Sequence, residues 1–97
     1  MITEIVRYEI PQIEIDNFIN SYLEAIEILH TSEFCEAAEL LQQHENPSLF
    51  QIVIRWQSAE AHIEGFRKSP EFTKFFNVVK PFFNNILEMQ HYKSISR

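Results

Sequence analysis

Ninety-seven residues, 45% apolar and 13% aromatic, set the scale of one domain over residues 1–97 and exclude a disordered chain. A formal net charge of −6, with the one local basic pair Arg67-Lys68 flanked by Glu64 and Glu71, excludes nucleic acid as a partner. The single glycine excludes glycine-rich phosphate cradles. The lone cysteine, Cys35, excludes an internal disulfide.

No apolar run approaches the ~18 residues of a membrane span, and Glu4 stands where a secretion signal needs its apolar stretch. With one thiol suited to a reducing compartment, the expected setting is cytoplasmic, away from membranes.

Ile2 to Ile10 alternates, with Ile2, Val6, Tyr8 and Ile10 on one side and Ile5, Arg7 and Glu9 on the other, which predicts a strand ended by Pro11. From Glu14 the period lengthens. Ile15, Phe18, Ile19, Tyr22, Ile26 and Leu29 recur at helical spacing and predict an amphipathic helix. Phe34 to His44 holds Glu36-Ala37-Ala38-Glu39-Leu40-Leu41-Gln42, which local propensity favours as helix. The turn chemistry of Glu45-Asn46-Pro47-Ser48 and the strong strand after it require a hairpin partner, so a strand is expected there.

Leu49 to Trp56 is apolar on both sides, Phe50, Ile52, Ile54 and Trp56 on one and Leu49 and Val53 on the other, as in a central strand. Ser58 is a predicted N-cap for a second helix, with Glu60 in its first turn. Ser69 and Pro70 break and restart that helix, which carries Phe72, Phe75, Phe76 and Val79 inward before Pro81. Leu87 to Ile95 is the expected last strand, with Leu87, Met89, His91 and Ile95 on one side.

The order β-α-β-β-α-β predicts an α+β fold, the ferredoxin-like sandwich of a four-stranded antiparallel sheet with two helices on one face. Two helices cover only one face, while the middle strands carry apolar side chains on both. A homodimer through the sheet faces is therefore expected.

Cys35, Glu39, Asn46-Pro47, Trp56, Ser58, Glu60, His62, Gly65-Phe66-Arg67, Ser69-Pro70-Glu71-Phe72, Phe75, Pro81-Phe82, Ile86, Glu88-Met89 and His91-Tyr92 run at matching spacing over nearly the whole chain. In that order they resemble the antibiotic biosynthesis monooxygenase-like family of dimeric α/β barrels. The resemblance implies oxygenation without metal, flavin or haem: an electron-rich phenol, quinol or anthrone loses a proton, and its anion reacts with dioxygen. Two places depart from the family. Gly65 stands where many members carry a histidine on the second helix. A haem-degrading branch uses an asparagine, a tryptophan and a histidine where this chain has Arg7, Gly65 and Phe75, so that chemistry is not expected here.

The resemblance and the residue types together nominate His62, Arg67 and Tyr92 as catalytic, and Trp56, Phe66, His91 and Tyr8 as substrate-binding. His62 falls on the inward side of its helix, as a general base or as a buried imidazole bonded to backbone. His91 shares a side with Met89, lining the same pocket or a dimer interface. Arg67 offers a bidentate donor for an anion, or pairs with Glu71 or Glu88. Trp56 and Phe66 are aromatic walls or plain core, and Tyr8 and Tyr92 are donors to a ligand oxygen or ordinary strand tyrosines. His30, His44, His62 and His91 show no metal-ligand spacing, so no metal and no cofactor are expected. The leading expectation is a cofactor-independent monooxygenase for a small aromatic or quinol. The alternative is a non-catalytic dimeric module that binds a hydrophobic or haem-related small molecule.

Overall fold

A computed structural model describes residues 1–96. Its elements are β1 (Ile2–Glu9), α1 (Ile15–His30), β2 (Cys35–Gln42), β3 (Leu49–Trp56), α2 (Pro70–Val79) and β4 (Ile86–Tyr92). The strands form one antiparallel sheet in the order β2-β3-β1-β4. This is the α+β, ferredoxin-like arrangement that the periodicity predicts.

β2 is a strand despite its helical composition. Its carbonyls and amides pair with β3 from Cys35 opposite Trp56 to Gln42 opposite Phe50. The intervening turn is closed by Asn46, whose Oδ1 accepts from the Ser48 amide at 3.1 Å, and by the Gln42 side-chain amide donating to the Pro47 carbonyl at 2.8 Å. Long-range pairing outweighs the few tenths of a kcal/mol per residue that alanine, glutamate and leucine favour in a helix.

The side chains of Val6 and Tyr8 on β1, and of Phe50, Ile52, Ile54 and Trp56 on β3, are buried in the core with Phe18, Tyr22, Ala25 and Leu29 of α1. The inner line of α1 runs through Ala25; Ile19 and Ile26, expected to face inward, flank it half-buried. The other side of the sheet is more mixed than the sequence pattern suggests. Ile5, Leu49 and Val53 share it with Arg7, Gln51 and Arg55, and Arg7 lies 4.0 Å from Glu88 there.

Two irregularities shape the cavity side. After Ser58, whose hydroxyl accepts from the Ala61 amide at 3.0 Å, the expected single helix widens into a π-helical turn over Ala61–Gly65. A tight 3-10 turn over Phe66–Lys68 follows, and Ser69 leaves helical geometry before capping α2, with Pro70 in its first turn. On β4 the register shifts between Arg7 and Tyr8, so that Ile86 opposes Tyr8 while Met89 opposes Val6. That shift takes Leu87, half exposed, away from the side it was expected to share with Met89 and His91. β4 stops at Tyr92, short of the expected Ile95, which is exposed.

Candidate functional site

Between the sheet and the helical layer lies a cavity of about 210 Å³. Its wall is mostly aromatic and aliphatic, with Tyr8, Trp56, Phe66, Phe72, Phe75 and Met89 among its members. The charged or titratable intrusions are Glu4, His62 and Arg67, besides the two tyrosines Tyr8 and Tyr22. An apolar chamber with a few converging polar groups is the usual form of a small-molecule site.

His62 is 3% exposed and stacks on Trp56, with ring centroids 4.4 Å apart and planes 8° from parallel. The π-turn positions it: the wider backbone loop turns the imidazole flat onto the indole. Such turns recur at functional sites. His62 Nδ1 lies 2.7 Å from His91 Nε2, so sequence candidates 29 residues apart meet here. Trp56 Nε1–H donates to Glu4 Oε1 at 3.1 Å, and His62 Nε2 stands 3.6 Å from that same oxygen. That last distance is too long for a hydrogen bond.

Burial lowers the His62 pKa to about 4, with the nearby Arg67 and His91 charges adding to the effect. The imidazole is thus neutral near pH 7, and its contact with Glu4 is dipolar rather than a full ion pair. Glu4 is 4% exposed, and burial raises its pKa, against the opposing pull of the Trp56 N–H, His91 and Arg67.

Glu4 is the residue that sequence reasoning passed over. It lies in phase with Val6 and Tyr8 on the inward side of β1, so alternation alone places a carboxylate in the core. A carboxylate there needs partners, and that need is the signal of a site.

The other nominated residues divide. Phe66 packs on Trp56 at 4.9 Å and walls the chamber. Arg67 lines the chamber from an exposed position, and no ion pair among the described residues engages it, neither Glu71 nor Glu88. Tyr8 lines the chamber, but its hydroxyl is 2.7 Å from that of Tyr22. Burial pushes the Tyr8 pKa up to about 12, so it acts as wall with its polar end already partnered.

Tyr92 is a correction. It opposes Thr3 on the outer side of the sheet and donates to Glu88 Oε2 at 3.0 Å, away from His62. Strand alternation separates it from its neighbour His91. Cys35 is half-buried, and burial raises its thiol pKa, as suits a packing role.

Gly65 is packed against the Phe34 ring. A Cβ there would meet the Phe34 ring at 2.7 Å, so the ring occupies the space a side chain would need. His62, one turn earlier, places its imidazole on the chamber wall from the π-turn.

The absence of ligand spacing predicted no metal site, yet the fold brings one donor atom each from Glu4, His62 and His91 within 4.8 Å of one another. Spacing could not show this because the three residues come from three different elements. No helix among the described residues is long and apolar enough to cross a membrane.

Known structures share this architecture. A provisionally assigned antibiotic biosynthesis monooxygenase of Bordetella bronchiseptica superposes with a TM-score of 0.83 at 20% identity, covering 98% of this chain and 97% of that one. A conserved protein of Methanosarcina mazei gives 0.79 at 19% identity over 96% and 91%. A provisionally assigned monooxygenase of the same kind from Deinococcus radiodurans gives 0.76 at 12% identity over 100% and 95%. At these identities the likeness speaks for the fold. No functionally curated protein matches the sequence. The sequence profile of the antibiotic biosynthesis monooxygenases matches residues 1–78, most of the chain and all of β1 through the body of α2. The chain belongs to the antibiotic biosynthesis monooxygenase family.

Proposed function

We propose that this member of a monooxygenase family oxidises a compact, electron-rich hydroxy-aromatic with dioxygen inside the cavity between sheet and helices. The observation that carries the reading is the pairing of Glu4 and His62 on the wall of an otherwise apolar, aromatic-lined chamber. A dry cavity of about 150 Å³ takes up benzene. The present one therefore suits one ring with substituents, or a compact two-ring system, better than a three-ring anthrone.

The chemistry needs no external reductant. The Glu4–His62 pair accepts the hydroxyl proton, and the 2.7 Å contact to exposed His91 gives that proton a way out. The resulting anion adds dioxygen at the ring carbon para to its oxygen, forming a C–O bond. Loss of that carbon's hydrogen with cleavage of the O–O bond gives the quinone and one water. One oxygen atom stays in the product, one leaves in water, and all four electrons come from the substrate. Arg67 at the chamber wall holds the anionic oxygen, and Trp56 and Phe66 stack on the ring.

The same reading places two copies sheet to sheet, with Ile5, Leu49 and Val53 as the apolar centre of the contact. A sedimentation series distinguishes a dimer from a single copy. A well-folded monomer at tens of micromolar would remove this part of the reading.

The test is oxygen uptake with a panel of phenols and naphthols that carry hydrogen para to the hydroxyl, with water rather than hydrogen peroxide as the expected co-product. One dioxygen is consumed per quinone formed, and His62→Ala slows turnover by about 10²-fold or more, the scale of a lost acid–base group. Turnover unchanged in His62→Ala contradicts the assignment. Saturable binding with no oxygen uptake from any of the panel favours the other reading, a module that binds the aromatic without converting it.

A further inference from the structure

The geometry points to a divalent transition-metal site formed by Glu4 of β1, His62 of the π-turn and His91 of β4. This inference goes beyond the oxidation reading, which uses the same three residues without an ion, and it is tested by equilibrium binding with no substrate present.

Three observations carry it. The first is the donor set. One ligating atom from each residue lies within 4.8 Å of the others, and two imidazoles with one carboxylate is a combination that zinc and non-haem iron accept while leaving positions open. An ion with bonds of about 2.0–2.2 Å spaces such atoms roughly 3.3 Å apart. His62 meets His91 through Nδ1 and Glu4 through Nε2, and an ion takes only one of these nitrogens. With Nδ1 as the ligand, the 2.7 Å to His91 Nε2 must widen slightly and the carboxylate must swing across from the Nε2 side. His91 is exposed on the edge strand, where its side chain has room for that adjustment.

The second observation is electrostatic. Glu4 is a buried carboxylate whose nearest basic group is the equally buried His62 at 3.6 Å, and no lysine or arginine among the described residues pairs with it. A carboxylate desolvated without a full charge partner is costly, and a cation between Glu4 and the two imidazoles removes that cost.

The third is outer-shell support. Trp56 Nε1–H fixes Glu4 Oε1, and the Trp56 indole fixes the plane of His62 by stacking. Metal ligands are commonly oriented in this way by hydrogen bonds and packing from behind. Glu4 and His62 also line the chamber, so an ion there would have one side open toward any molecule the cavity holds.

The experiment titrates Co²⁺ and Zn²⁺ into the chain after chelator treatment, without substrate, reading visible absorption for Co²⁺ and heat of binding for Zn²⁺. The expected result is one ion per chain. His91→Ala, at an exposed position that leaves the core intact, weakens binding by more than the about 10–100-fold typical of outer-shell changes. Glu4→Gln, which keeps the acceptor for Trp56, weakens it comparably. Trp56→Phe falls within the outer-shell range. The double variant His30→Ala/His44→Ala, which removes the two histidines outside the cluster, binds as wild type.

Binding that is unaffected by His91→Ala, or that disappears in the His30/His44 variant, overturns the site as adventitious. So does the lack of any binding below millimolar ion, which would leave the three residues as a proton-sharing chain. If Glu4→Gln does not fold, His91→Ala decides alone. Oxygen uptake by metal-free protein bears only on the oxidation reading, so the two can fail separately.

Discussion

The two ends of the layer between sheet and helices are built from the same kinds of residue but packed differently. At one end, Tyr8, Phe18, Tyr22, Phe50 and Phe82 interlock. Phe18 has ring centroids within 4.8–5.1 Å of each of the other four. At the other end, Trp56, Phe66, Phe72 and Phe75 stand around a chamber, and Glu4 and His62 enter its wall. Aromatic content does not separate a core from a pocket. Rings touch one another at both ends, Phe66 lying 5.6 and 5.7 Å from Phe72 and Phe75. What separates the ends is that one set closes around Phe18, while the other, beside the π-turn and the break at Ser69-Pro70, leaves space against the sheet.

The largest expected effect tests the filled end. Phe18→Ala removes a fully buried ring with four aromatic neighbours and should cost about 3–5 kcal/mol in urea unfolding. Phe75→Ala, at a half-buried ring on the chamber wall, should cost less than half of that, because its neighbours already lack partners on one side. Equal costs would mean that the chamber is packed in solution and the contrast is false.

Next comes Gly65→Ala, which pits about 1 kcal/mol of helix propensity against a clash with the Phe34 ring. Overpacking of this kind costs about 1–3 kcal/mol, so net destabilisation is expected, with recovery when Phe34→Leu is added. A stabilised single variant would show that Phe34 moves freely. Comparable in size is the tyrosine pair. Tyr8→Phe or Tyr22→Phe leaves one buried hydroxyl without its partner, at roughly 1–3 kcal/mol. The double variant should cost less than the sum of the singles in the same unfolding assay.

A further effect appears only in alkali. Burial raises both tyrosine pKa values, Tyr8 to about 12 and Tyr22 well above the ordinary value of 10. Above pH 10 the unfolded chain loses phenolic protons that the folded one keeps, so the folded state binds more protons and stability falls as pH rises. The loss should begin near pH 10 and continue toward 12, where Tyr8 itself begins to titrate in the folded state. It should be reduced in the double phenylalanine variant, as read by urea midpoints along that range.

The element order and the strand at β2 were legible because turn residues and alternation are local, and Asn46-Pro47-Ser48 demanded a hairpin. The meeting of His62 with His91 was only half legible. Each was marked by residue type and face, but nothing in the sequence sets the register that joins them. Glu4 was legible in principle from its phase with Val6 and Tyr8. Tyr92 was separable from His91 by the same alternation. The π-turn and the β4 register shift were not legible, because both arise where a segment must fit between neighbours already in place. No local pattern encodes that fit, and it is what turns His62 onto Trp56 and moves Leu87 away from Met89.

Trp56 is the one tryptophan in the chain, and it forms part of the chamber wall, so its fluorescence reports directly on occupancy. Titration with a compact aromatic such as 1-naphthol should change the emission saturably, with one molecule per chain. Val79→Phe, which places a ring in the chamber space, should abolish the change. A response that does not saturate, or that persists undiminished in Val79→Phe, would contradict the claim that this cavity is where the protein meets its ligand.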